Sequence, residues 1–175
     1  MRCLHVLTAL LLVAPVASLA QQSFVGPQAG DKELSLSGSG SSDKNGDNAN
    51  FGLSGDLGYY LTPHAEVGIR QSVDYTNPAN ANSAWDGATR GFFDYNFLND
   101  AFRPFAGASL GGVYGDNVND SGFAGLEAGV KYYVRSKTFL VGRAEYQWLF
   151  NSADKADDRF NDGAWAYTVG LGYDF

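Results

Sequence analysis

The chain has 175 residues with a formal charge of −7, 22 glycines, 25 aromatic residues, five prolines and a single cysteine. Glycine is about an eighth of the residues against a usual share near 7%, and with Cys3 at the extreme N-terminus no disulfide framework is available to the rest of the chain. The acidic balance argues against nucleic-acid binding, and nothing in the composition fits a disordered linker or a small disulfide-stapled secreted domain.

Residues 1–20 (MRCLHVLTALLLVAPVASLA) start with a basic residue, continue through an apolar run to Ala14 and end on small residues at Ser18 and Ala20. That is the layout of a secretory signal peptide cleaved between Ala20 and Gln21, and its apolar run is too short for a membrane-spanning helix. Cleavage would remove Cys3 and leave 155 residues with a charge of −8, enough for one domain. Residues 21–30 read as a short periplasmic lead-in tail, and residues 31–175 as one domain.

From residue 33 onward the chain alternates with period two, the mark of strands with two unlike faces. Glu33–Gly40 is predicted as the first strand, through Leu34 and Leu36. In the second, Phe51, Leu53, Leu57, Tyr59 and Leu61 oppose Ser54, Asp56 and Gly58; in the third, Ala65, Val67, Ile69, Val73 and Tyr75 oppose Glu66, Gly68, Arg70, Ser72 and Asp74. The fourth sets Phe93, Tyr95 and Phe97 against Arg90, Asp94 and Asn96, and the fifth sets Ala106, Ala108, Leu110 and Tyr114 against Gly107, Ser109 and Gly111. In the sixth, Ala124, Leu126, Ala128, Val130 and Tyr132 oppose Gly125, Glu127, Gly129 and Lys131; in the seventh, Leu140, Ala144, Tyr146, Trp148 and Phe150 oppose Arg143, Glu145 and Gln147. The eighth carries Trp165, Tyr167, Val169, Leu171, Tyr173 and Phe175 on one face and small or polar residues on the other.

Short connections at 62–64, 98–101 and 135–137 alternate with longer polar ones at 41–50, 76–84, 115–122 and 151–162. Short turns at one end and longer loops at the other are the asymmetry of outer-membrane barrels. The expected fold is therefore all-β: an eight-stranded antiparallel up-and-down transmembrane β-barrel.

The direction of the two faces follows from width. The lumen of an eight-stranded barrel is only as wide as the side chains that fill it, so the small, glycine-rich face suits the inside and the aromatic face the outside. A soluble lipocalin-like barrel would reverse this and place that much glycine on exposed strands, where it weakens them. Inside, Asp56, Glu66, Asp94, Glu127 and Glu145 nearly balance Arg70, Arg90, Lys131 and Arg143, which predicts a packed polar network. Outside, two girdles are expected around an aliphatic belt. Phe51, Tyr146, Trp148, Phe150, Trp165 and Tyr167 fall toward the long-loop end; Tyr59, Tyr95, Phe97, Tyr132 and Tyr173 fall toward the short-turn end.

The closing strand ending Tyr173-Asp174-Phe175, the strand opening Arg103-Pro104-Phe105-Ala106-Gly107-Ala108 and the strand Gly125–Tyr133 (GLEAGVKYY) resemble the small eight-stranded outer-membrane β-barrel proteins, the class containing the OmpA transmembrane domain and OmpX. The resemblance covers residues 31–175. It implies insertion into the outer membrane of a Gram-negative bacterium, among lipids and lipopolysaccharide. It also implies that Phe175 is the assembly signal read by the barrel-assembly machinery. No peptidoglycan-binding domain is expected after Phe175, so a cell-wall anchor is not among the roles the resemblance implies.

No catalytic set is expected. Apart from His5 in the leader, the one histidine is His64, in a short turn away from the rim where lipid A deacylases, acyltransferases and outer-membrane proteases work. Neither Asp43–Asn48 nor Asp116–Asp120 has the spacing of a calcium loop, and Asn-Gly and Asp-Asn are good turn formers, so no metal and no cofactor is expected. The long loops carry Asp43, Asp47, Asp116, Asp120, Asp154, Asp157, Asp158 and Asp162 against Lys44, Lys155 and Arg159. The expected role is structural or surface-interacting through these acidic extracellular loops, with an unidentified host or surface protein as partner and a monomeric barrel. A small low-conductance ion pore is the alternative, and a lipid A-modifying enzyme a more distant one.

Overall fold

The computed structural model describes residues 26–41, 49–77, 83–98, 100–115, 121–150 and 163–175. Eight strands follow in chain order: β1 (Lys32–Ser41), β2 (Ala49–Tyr60), β3 (Ala65–Asn77), β4 (Ala84–Asn96), β5 (Phe102–Gly115), β6 (Ser121–Tyr133), β7 (Thr138–Phe150) and β8 (Gly163–Asp174). Each pairs antiparallel with its sequence neighbours and β8 returns to β1, closing an up-and-down barrel. With 10 to 14 residues each, the strands match or exceed the 9–11 that a tilted strand needs to cross a bilayer.

Closure removes the exposed edges that an open sheet would present. It also leaves every strand with one face toward the lumen and one toward the surroundings. Large apolar side chains stand outward all round the barrel, among them Leu36, Leu57, Ile69, Leu110, Leu126, Val169 and Leu171, while the charges point in.

Three connections at one end are short. In the first, Leu61 N donates to Ala65 O at 2.8 Å, and Thr62 Oγ1 accepts from Ala65 N at 2.9 Å; in the last, Val134 N donates to Thr138 O at 2.9 Å. The four connections at the other end lie outside the described residues, and with them every acidic and basic loop residue named above. The leader, residues 1–20, lies outside them as well.

The predicted strands and the observed ones differ mainly at their ends. β4 starts at Ala84, several residues above the first residue with a clear two-faced pattern, and there Tyr75 and Trp85 face each other across the β3–β4 pair with tilted rings (4.8 Å between centroids). The lead-in is partly folded: Gly26 and Pro27 are buried, and Gly30, with φ of 97°, donates its N–H to Tyr60 O at 2.8 Å.

The seams are unequal. β1 and β8 share six residue pairs, from Glu33–Asp174 to Gly38–Val169, whereas the other seams share 10 to 12. Above Gly38 and Val169 the two strands continue without pairing to each other. Phe175 ties the opposite end of this seam, exchanging backbone hydrogen bonds with Lys32 at 2.8 and 2.9 Å.

The lumen also holds aromatics that a small-residue face does not foretell. Phe92, Phe105, Phe123, Phe139, Tyr60 and Tyr133 are all buried inside. Phe123 pairs with Gly111, and three others have a glycine directly under the ring across a strand pair: Phe92–Gly68, Phe105–Gly129 and Phe139–Gly172. Each of these three rings occupies the space a Cβ on that glycine would need. Part of the glycine excess is therefore the counterpart of inward aromatic rings.

Candidate functional site: the charged lumen and the apolar wall

Three tiers of charge cross the lumen. The middle tier joins opposite walls. Arg70 on β3 donates from Nε to Asp56 Oδ2 at 3.0 Å, and from Nη1 and Nη2 to the two oxygens of Glu127 on β6 at 2.7 and 3.3 Å. Arg143 on β7 donates from Nη2 to the same Asp56 Oδ2 at 2.8 Å, with its Nε 3.4 Å from Glu127. Two guanidiniums and two carboxylates thus form a crossbar whose forked geometry suits arginine.

Toward the long-loop end, Arg90 on β4 donates to Glu145 Oε2 at 2.5 Å and to Ser72 Oγ at 2.8 Å. Glu145 also accepts from Ser109 and Gln147, at 2.5 and 2.8 Å. The Arg90 guanidinium lies 5.1 Å from the Phe123 ring centroid. Toward the short-turn end, Lys131 donates to Glu33 and Glu66, each at 2.6 Å, and to Tyr60 Oη at 2.9 Å. Tyr60, Phe105 and Phe139 surround the ammonium at 5.3 to 5.7 Å, giving it cation–π contacts. Asp94 packs against Gly107, in the space a side chain there would take.

All nine residues expected in the lumen lie there, at 7% exposure or less. Sequence reasoning missed Glu33, Arg103 and Asp174, which are buried with them. Tyr133 Oη donates to Asp174 at 2.6 Å, and Arg103 stacks on the Tyr133 ring at 5.3 Å. The balance also differs from the near-neutral one expected: seven buried carboxylates stand against five buried cations among the described residues. The parity of Arg103 with Phe105 and Gly107, and of Glu33 with Ser35 and Ser37, was the available signal.

On the outside, Phe51, Tyr59, Tyr95, Phe97, Tyr132, Trp165, Tyr167, Tyr173 and Phe175 are exposed. Tyr146 and Trp148 are half-buried because they pack edge-on, at 4.8 Å, with Trp165 5.2 Å from Tyr146. The side chain of Phe150 lies outside the described residues. Tyr95 stacks with His64 at 5.8 Å and meets Phe97 at 5.4 Å. From the β2–β3 turn, His64 places Nδ1 2.7 Å from Asn96 O at the end of β4.

One outward feature is polar. Gln71, Thr89 and Tyr114 form a ring of hydrogen bonds on the outer wall. Gln71 donates to Tyr114 Oη at 2.8 Å, Thr89 donates to Gln71 Oε1 at 2.6 Å, and the two hydroxyls lie 3.1 Å apart. The Tyr114 ring lies over Gly87, its partner across the strand pair. Each polar group finds its partner inside the ring, as a surface facing hydrocarbon requires.

Among the described residues no group of three or more His, Cys, Asp or Glu side chains is arranged to hold a metal ion.

A closed eight-stranded barrel with apolar side chains outside and ion pairs inside defines the class of membrane-spanning β-barrels. Within it, the chain belongs to the outer membrane protein beta-barrel domain family, whose profile matches residues 6–175. Among solved structures it is similar to Neisserial surface protein A (18% identity, 83% of this chain and 96% of that one, TM-score 0.58). It is also similar to the N-terminal β-barrel domain of Pseudomonas aeruginosa OprF (19%, 85% and 98%, 0.51) and to the outer membrane protein OprG of the same organism (15%, 86% and 98%, 0.53). At these identities the likeness is one of fold. No curated protein matches the sequence.

Proposed function

We propose that this protein is a non-enzymatic integral protein of the outer membrane of a Gram-negative bacterium, serving a structural or surface-interaction role. The observation that carries the reading is the pairing of an apolar outer wall with a lumen blocked at three levels by buried ion pairs. Such a barrel presents lipid-compatible side chains outward and fills its lumen with ion-paired side chains. Lipids and lipopolysaccharide are then its immediate neighbours. The acidic loops are the part available to a host or neighbouring surface protein, since recognition concentrates on loops held by a rigid scaffold.

In this reading the short-turn end, with both ends of the barrel chain, faces the periplasm and the barrel is a monomer. Phe175 is the residue read during assembly. Heat-dependent mobility on gels, combined with protease treatment of intact cells, tests barrel, membrane and orientation together. Cleavage confined to the four long connections is the expected result. A protein recovered soluble from the periplasm overturns the proposal.

The blocked lumen also argues against the low-conductance pore. Planar-bilayer recordings are expected to stay at background, and stable single-channel steps would replace the structural reading with a pore. Unaltered lipid A by mass spectrometry is expected on overexpression, whereas a new lipid A species would restore the enzyme reading.

A further inference from the structure

Between the middle crossbar and the long-loop end the lumen holds a cavity of about 260 Å³, with Arg70 and Arg143 at its floor. One wall is a row of hydroxyls set in register across β1, β2 and β3, with Ser37 opposite Ser54 and Ser54 opposite Ser72. Ser72 is engaged by Arg90, but the hydroxyls of Ser37 and Ser54, at 2% and 6% exposure, have no hydrogen-bond partner among the described residues. A ligand that supplies the missing partners recovers the free energy their burial costs.

The charges around the cavity are already matched. Arg70 and Arg143 hold Asp56 and Glu127, and Arg90 holds Glu145. Arg90 also acts on Asp74, and Asp86 is engaged as well. Recognition therefore falls to the hydroxyls, and the head that suits them is a neutral polyol. The volume lies just below the range of about 300–1,000 Å³ typical of pockets for drug-sized ligands, which limits the head to a glycerol or a single sugar.

The side wall of the same cavity is the β1–β8 seam. Ser37 and Ser39 line it from β1, and Ala166 and Thr168 from β8. Pairing between the two strands stops at Gly38–Val169, short of Ser39 and Thr168, so the wall is notched beside the cavity. Outside the notch, β1 presents Gly38 and Gly40 between Leu53 and Phe51 on β2 and Val169 and Tyr167 on β8, all four of them exposed. A Cβ on either glycine would meet nothing closer than 3.5 Å, and neither has a positive φ, so neither packing nor backbone conformation calls for glycine there. What the two glycines leave is a trough one strand wide with apolar walls, running from Leu36 to the notch. Glycine inside a strand often marks the close approach of a ligand.

We propose that the upper lumen receives the polyol head of a single-chain amphiphile, of the monoacylglycerol class, which enters sideways from the bilayer between β1 and β8. Its head hydroxyls pair with Ser37 and Ser54, and its one acyl chain leaves through the notch and lies along Gly40 and Gly38. This rests on the reading that the outer wall stands in a membrane, and it needs no passage beyond the crossbar.

The test uses the ¹⁵N-labelled barrel in phosphatidylcholine nanodiscs, titrated separately with monomyristoylglycerol, glycerol and myristate. Monomyristoylglycerol is expected to give saturable amide shifts at Ser37, Ser54 and Gly40, with contacts between its glycerol protons and the two serines. Glycerol lacks the chain and myristate lacks the polyol, so neither should reproduce them at the same concentrations. Ser37→Ala combined with Ser54→Ala should weaken binding by about tenfold or more, through the loss of two hydrogen bonds. The same variant should keep the urea midpoint of the ligand-free barrel, since no internal partner is lost. Gly40→Leu fills the trough and should weaken binding likewise, and Gly38→Leu gives the same readout if Gly40→Leu does not fold. A barrel that does not enter nanodiscs overturns the membrane reading and this proposal with it. In an inserted barrel, absence of saturable shifts, an equal response to glycerol or to myristate, or undiminished binding in the folded serine or glycine variants overturns this proposal alone.

Discussion

Arg143 on β7 reaches across the lumen to Asp56 on β2, Nη2 to Oδ2 at 2.8 Å, and that oxygen also accepts from Arg70 at 3.0 Å. One carboxylate oxygen therefore joins two arginines from different walls. Removing either arginine alone leaves Asp56 and Glu127 with half their compensation in a buried setting.

Arg143→Ala is accordingly expected to destabilise the barrel by about 3–5 kcal/mol, the usual cost of breaking one side of a buried ion pair. Urea unfolding in micelles, followed by tryptophan fluorescence, measures it. A midpoint equal to that of the parent would show that the crossbar contributes nothing to stability.

The glycines facing rings give a sharper contrast. Gly129→Ala places a Cβ 2.3 Å from Gly142 O and 2.6 Å from the Phe105 ring, whereas Gly142→Ala meets nothing within 4 Å. Overpacking of this kind costs about 1–3 kcal/mol. Gly129→Ala should lower the unfolding midpoint and Gly142→Ala should leave it nearly unchanged. Equal effects would mean that the ring–glycine contacts are not constraining.

Gln71→Leu opens the hydrogen-bonded ring on the outer wall and leaves the Thr89 and Tyr114 hydroxyls with only each other. The expected loss is about 1 kcal/mol, in line with polar contacts inside membranes. Replacing all three residues together (Q71L, T89V, Y114F) should recover most of it, because no partnerless polar group remains. A triple variant weaker than Q71L in the same urea assay would contradict this account.

Hydrogen exchange distinguishes the two halves of the β1–β8 seam. Among the amides that face β8, those of Leu34, Leu36 and Gly38 should exchange slowly and that of Gly40 faster, while Ser39, paired with Gly52 on β2, stays protected. Their difference follows from pairing that stops at Gly38–Val169. Uniform protection along β1 would show that the seam is closed throughout.

Much of the barrel was legible in period-two alternation, and most clearly in β8, where six apolar or aromatic residues alternate with small and polar ones up to Phe175. β1 was harder because its two outward leucines, Leu34 and Leu36, give way to outward glycines at 38 and 40, which carry no hydropathy signal. The inward aromatics were illegible for a different reason. Phe92 beside Phe93 reads as a continuous apolar run, and only the glycine opposite, Gly68 on another strand, makes room for the ring inside. Arg103 and Asp174 were passed over because each lies at a strand end, where the two-face pattern is shortest.

The sequence by itself determined the strand number, the antiparallel order and which face of each strand is charged, because these follow from local alternation and from the spacing of turns. It could not decide which charges meet. Arg70 and Glu127 are 57 residues apart, and Lys131 and Glu33 are 98 apart. Such pairings depend on the curvature and stagger of the closed sheet, which bring opposite walls within reach of two side chains. The serine row Ser37–Ser54–Ser72 exists for the same reason: registers on three adjacent strands must coincide before three ordinary residues line one cavity.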